Sequence, residues 1–122
     1  MTIQSYRDLL VWQKAMQVVV ECYRLSDLFP KTETYGLASQ LRRAAVSVPA
    51  NIAEGHGREH LGDYLHHLSI ANGSLMEVET HLLLAEKLSF LESQQINQTL
   101  TATAEIGRML AGLTRSLKNK RT

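Results

Sequence analysis

The stretch from Ser39 to Arg58, SQLRRAAVSVPANIAEGHGR, has the periodicity of a helix and carries Pro49 in its middle. A proline inside a helix removes one backbone hydrogen bond and clashes with the carbonyl four residues back, here that of Ala45, at a cost of about 3 kcal/mol. Such a helix persists only where packing offsets that loss. The stripe Leu37, Leu41, Ala44, Ala45, Val48 and Ile52 supplies an apolar face for the purpose. The sequence predicts a helix from about Thr34 to Gly55 or Gly57, kinked at Pro49 or split there with Ser47 or Val48 as a new cap.

Three further segments share the helical period. The first runs from about Ser5 to Leu28, with Ser5 as N-cap and Asp8 three residues on. It carries two apolar stripes: Leu9, Trp12, Met16, Val19 and Tyr23, and Val11, Ala15, Val18, Cys22 and Leu25. Phe29-Pro30 stops it, because residues before proline avoid the α region. The third segment, about Leu61 to Leu88, is a heptad pattern. Leu61, Leu68, Leu75 and Leu82 recur every seven residues, and Tyr64, Ala71, Val78 and Ala85 fall three after each. Ile70, Met76, Leu83 and Leu84 lie off that seam. The fourth, about Ser93 to Lys118, aligns Ile96, Leu100, Thr103, Leu110 and Leu117, broadened by Ile106, Met109 and Leu113.

Short connections force neighbouring helices to be antiparallel, so the expected fold is all-α: an antiparallel up-down-up-down four-helix bundle, a single domain over residues 1–122. Surplus apolar stripes on segments one and three predict self-association. Val11, Val18, Met76 and Leu83 are the candidate oligomer-interface residues. The sequence leaves open which stripe faces the core and which the interface.

Composition bounds the function classes. Apolar residues make up 44% and charged residues 20% of 122, an ordinary globular balance. No apolar run approaches a membrane span, and the start MTIQSYRDLLVWQK is unlike a signal peptide, so a cytoplasmic protein with no membrane partner is expected. Net charge is +1, but residues 59–92 set Lys87 against six carboxylates, whereas residues 93–122 set five cations against Glu105. Such asymmetry fits either an acidic helix beside a basic one or a basic tail awaiting an anion.

The stretches YRDLLVWQKAMQVVVECYRL, YGLASQLRRAAVSVPANIAEGHGR and LSIANGSLMEVETHLLLAEKL resemble the small four-helix proteins encoded in bacterial 23S rRNA intervening sequences, often labelled the S23 ribosomal protein family. More distantly the chain resembles the accessory proteins of diversity-generating retroelements, which assist a reverse transcriptase. The resemblance implies a barrel-like homopentamer without a settled activity. The segment GHGREHLGDY departs from the more basic segment of that family.

No residue set spells a reaction. Five histidines (His56, His60, His66, His67, His81) and one cysteine make no four-ligand zinc pattern, and His56 and His60 are separated by a helix-breaking glycine. There is no Gly-rich phosphate loop, HExxH or di-iron ExxH pair. Neither a cofactor nor a metal is expected, nor an enzyme. Asn51, Glu54 and Glu79 lie beside apolar stripes and are expected as structural polar groups, Asn51 near the carbonyl that Pro49 leaves unpaired. Two tasks remain: a protein-binding scaffold, or an RNA-binding accessory factor acting with rRNA or a reverse transcriptase. For RNA, the candidate contacts are Arg115, Lys118, Lys120 and Arg121, with Arg42, Arg43 and Arg58 as a second patch.

Overall fold

The computed structural model describes residues 3–120. Among them there are four α-helices and no strand: α1 (Leu10–Ser26), α2 (Leu37–His56), α3 (Leu61–Lys87) and α4 (Ser93–Asn119). A 3₁₀ turn at Tyr6–Asp8 precedes α1 and another at Lys31–Glu33 precedes α2.

Ser5 caps, but not where expected. Its Oγ accepts from Arg7 N at 3.0 Å, and Asp8 Oδ2 accepts from Ser5 N at 3.2 Å. The structure they close is the 3₁₀ turn; Leu9 is extended (φ −74°, ψ 122°), and α1 begins after it. The second helix also starts later than predicted. Glu33, from the preceding turn, accepts from Leu37 N at 3.0 Å and so satisfies one of the orphan donors at the α2 N-terminus. The helix then runs unbroken through Pro49 to His56, which corrects the expectation of a possible split at Ser47 or Val48. Pro49 is buried with Ala45 and Val48 beside it, so its ring contributes to the packing that offsets the missing bond.

Each helix packs on two others. The backbone of α2 lies close to α1 and α3, and that of α4 close to α1 and α3; the backbones of α1 and α3 stay apart, as do those of α2 and α4, among the described residues. Cross-helix pairs fix direction. Asn51 meets His67 and Ser47 meets Ser74, so residue order runs oppositely along α2 and α3. The heptad residues Leu68, Ala71, Leu75, Val78, Leu82 and Ala85 are all buried.

α1 buries one of its two stripes fully and the other in part, with Leu9, Trp12 and Val19 packed at the edge of the core. Val11, Ala15, Val18, Cys22 and Leu25 are at most 5% exposed. Met16 and Tyr23 are 42% exposed and Val20 68%. Val11 and Val18, expected at an oligomer interface, therefore belong to the core of the chain itself. The stripes were equally apolar in sequence, and packing chose the one with smaller side chains. α3 adds outward Ile70, Met76, Leu83 and Leu84, each 37–44% exposed.

Two details set helix approach. A Cβ on Gly55 would stand 2.8 Å from His67 Cβ and 3.1 Å from Tyr64 Cδ1, so glycine lets α2 close on α3 there. After α3, Ser89 takes φ 64°, and the bonds Phe90 N to Ala85 O (2.9 Å) and Ser89 N to Glu86 O (3.0 Å) complete a Schellman cap. Phe90 then packs on Phe29 at 5.7 Å.

Candidate functional site

The polar residues inside the fold join helices to one another. Between α2 and α3, Ser74 Oγ donates to Ser47 Oγ at 2.8 Å, and Asn51 Nδ2 donates to Ser47 O at 2.9 Å and to Ser47 Oγ at 3.0 Å. Asn51 Oδ1 lies 3.0 Å from His67 Nδ1. Because the Asn51 amide nitrogen is committed to Ser47, the facing atom is an acceptor, which places the hydrogen on His67 Nδ1. Asn51 is thus a structural polar group, but it serves Ser47 rather than Ala45. Glu79 links α3 to α4 by accepting from Thr103 Oγ1 at 2.7 Å. Glu54 stands at the surface, paired with Arg58 at 2.8 Å and 3.9 Å from His67 Nδ1. Sequence reading assigned no structural role to His67 or Ser74. The available signal was spacing: Ser47 and Asn51 four apart on α2 face His67 and Ser74 seven apart on α3.

Burial raises two groups, and a hydrogen bond lowers a third. The Cys22 thiol, fully enclosed, is pushed up to about 12 by loss of solvent and, secondarily, by Glu21. Burial also raises the Tyr64 phenol. The Glu21 carboxyl is held down by its hydrogen bond to Arg24. None of these shifts creates a reactive group: a thiol kept protonated is inert. The His81 Nδ1 atom is buried without a partner. Among the described residues no three His, Cys, Asp or Glu side chains gather where they could hold a metal ion.

The seven candidate cations separate. Arg42 is engaged within the fold: it donates to Ser26 Oγ (2.7 Å) and Asp27 Oδ1 (2.6 Å), and its guanidinium lies 4.7 Å from the Tyr23 ring centroid. It ties α2 to the end of α1, so its role is positioning rather than an open contact. Arg58 is matched by Glu54. Arg43, Arg115, Lys118 and Lys120 are exposed, and Arg121 lies outside the described residues. Arg115 and Lys118 come together on one groove between α3 and α4, about 660 Å³ in volume, with His66 and Asn72 opposite. Arg43 lies on a different face, so the structure does not unite the two patches.

The outward faces carry the other candidate surface. Met76 and Leu83 are both 44% exposed, as an interface role requires. No helix is long and apolar enough to cross a membrane among the described residues. The profile of the 23S rRNA-intervening sequence proteins matches residues 7–112, from the first turn through most of α4. The chain belongs to that family. A crystal structure of a protein of unknown function from the S23 ribosomal protein family of Bacteroides thetaiotaomicron is similar to it, with a TM-score of 0.80 at 22% identity, covering 86% of this chain and 98% of that one. That likeness shows a shared fold. No curated protein matches the sequence. Family membership thus accounts for the helical architecture and assigns no catalytic step to it.

Proposed function

We propose that this family member is a non-enzymatic, homo-oligomeric assembly protein of the cytoplasm, an antiparallel up-down-up-down four-helix bundle bent at Pro49, that presents a shared surface to a protein partner. One observation carries the reading: two diagonal helices turn apolar side chains outward. α1 offers Met16, Val20 and Tyr23, and α3 offers Ile70, Met76, Leu83 and Leu84. A soluble monomer has no use for a second such face. Because α1 and α3 stand diagonally, these faces point to opposite sides of the subunit. Two distinct faces favour a heterologous contact, the α1 face of one copy against the α3 face of the next, and a heterologous contact that closes makes a ring. A ring of five is the form that the family resemblance implies.

Burying a Leu-sized side chain contributes about 1.5–3 kcal/mol before association costs. Val20→Glu or Leu83→Glu is therefore expected to disperse the assembly with helicity unchanged. Light scattering on both variants checks this; an undiminished mass for both would reject the two-face reading. A second reading, an RNA-binding accessory factor, is supported by Arg115 and Lys118, which share one groove without a carboxylate. Binding that weakens steeply between about 50 and 200 mM salt would support it, since each phosphate contact releases counterions.

A further inference from the structure

Four cations on this fold have a carboxylate against them: Lys14 on Glu105 at 3.1 Å, Arg24 on Glu21 at 2.6 Å, Arg42 on Asp27 at 2.6 Å and Arg58 on Glu54 at 2.8 Å. Arg115 and Lys118 differ. They have no ion-pair or hydrogen-bond partner among the described residues, and they stand on a groove that no carboxylate lines. It is a solvent-open groove of about 660 Å³. The floor is hydrocarbon: Leu68 and Leu110 are 1% and 2% exposed, with Leu65 and Ala111 beside them. Facing the cations across this floor are the ring of His66 and the unpartnered amide of Asn72.

These groups fit a ligand with three parts. Two adjacent cations without a counter-charge suit a phosphate, which accepts charge-assisted hydrogen bonds from both a guanidinium and an ammonium. An apolar floor suits a flat ring, and an amide that both donates and accepts suits the polar edge of that ring. A simple carboxylate would leave the floor uncovered, and an alkyl chain would desolvate Asn72 without a partner. We propose that the α3–α4 groove binds one nucleoside monophosphate unit, its phosphate on Arg115 and Lys118 and its base over Leu110 and Ala111 with the edge toward Asn72. The assignment deepens the RNA reading by naming where a single nucleotide sits, and it is independent of self-assembly.

Calorimetric titration of the full chain tests it, with AMP, adenosine, inorganic phosphate and a short single-stranded RNA as separate probes. AMP is expected to bind at least about tenfold more tightly than adenosine or phosphate alone, the factor that roughly 1.4 kcal/mol produces. Arg115→Ala or Lys118→Ala is expected to weaken AMP about tenfold, as the loss of one hydrogen bond to a charged group does. Ala111→Trp, which fills the groove without altering charge, is expected to abolish AMP binding and spare phosphate. Lys31→Ala, in the 3₁₀ turn before α2, is expected to change nothing, and circular dichroism verifies that each variant folds. AMP no tighter than phosphate, or indifferent to Arg115 and Lys118, overturns the site. RNA that binds equally well to wild type and groove variants also overturns it while leaving the RNA reading standing. AMP bound with RNA unbound sustains the site and overturns the RNA reading, and failure of both probes overturns both.

Discussion

The diagonal pair α1 and α3 and the diagonal pair α2 and α4 solve the same packing problem and leave different surfaces. All four bury an inward stripe. Outward, α1 and α3 expose Met16, Val20, Tyr23, Ile70, Met76, Leu83 and Leu84, whereas α2 exposes a single large apolar residue within the helix, Val46, and α4 none. An outward polar face keeps a helix in water; an outward apolar one calls for a partner. The contrast teaches that the exposed apolar surface of this fold is gathered on alternate helices.

The largest test of that contrast sets two neighbours on α1 against each other. Val18 is 5% exposed and Val20 68%. Val18→Glu buries an unpaired charge and is expected to cost about 4 kcal/mol or more, enough to unfold the chain. Val20→Glu is expected to leave single-subunit stability within about 0.5 kcal/mol. Urea titration reads both. Equal effects would erase the distinction between inward and outward stripes.

Cys22 sharpens the inward side. Its thiol ionises at about 12 in the fold against 9.0 when exposed. Burial of the neutral form therefore stabilises fully below pH 9 and is lost as pH rises toward 12, by up to about 4 kcal/mol. Wild type should lose stability more steeply over that window than Cys22→Ala, with the half-buried Tyr64 phenol adding the same trend to both. Parallel pH profiles would contradict the burial.

Two glycines then compare the seams on either side of α3. Gly55→Ala drives a Cβ to 2.8 Å from His67 Cβ and is expected to cost about 1–3 kcal/mol. A Cβ on Gly107 meets only Leu75 Cδ2, at 3.6 Å, so Gly107→Ala is expected to stabilise by about 0.5–1 kcal/mol. Thermal unfolding reads the opposite signs. The smallest effect is expected outside the helices: Ser89→Gly relieves a left-handed residue and should gain about 1 kcal/mol or less.

Much of this architecture was legible in the chain. The heptad Leu68, Leu75 and Leu82 with Ala71, Val78 and Ala85 became the core of α3, because a sustained period leaves one orientation. The two stripes of α1 were not separable, since Val18 and Val19 are chemically identical and only the neighbours decide which is enclosed. Asn51 and Glu79 were readable as polar residues beside a seam, but their partners His67 and Thr103 lie on other helices, and a single sequence carries no distance between them. Arg42 looked like an open cation for the same reason: Ser26 and Asp27 come to it only when α1 and α2 pack. The groove around Arg115 and Lys118 needed α3 to supply its other wall.

Mixing two single-face variants tests the central claim most directly. Val20→Glu spoils the α1 face and leaves the α3 face; Leu83→Glu does the reverse. If α1 of one copy meets α3 of the next, each variant alone has no matching pair of faces. Native mass spectrometry should then give a single chain of about 13.7 kDa for either variant, and a discrete one-to-one pair at twice that mass on mixing. Wild type should give five chains. A Val20→Glu protein that dimerises by itself, or a mixture that stays monomeric, would contradict the account.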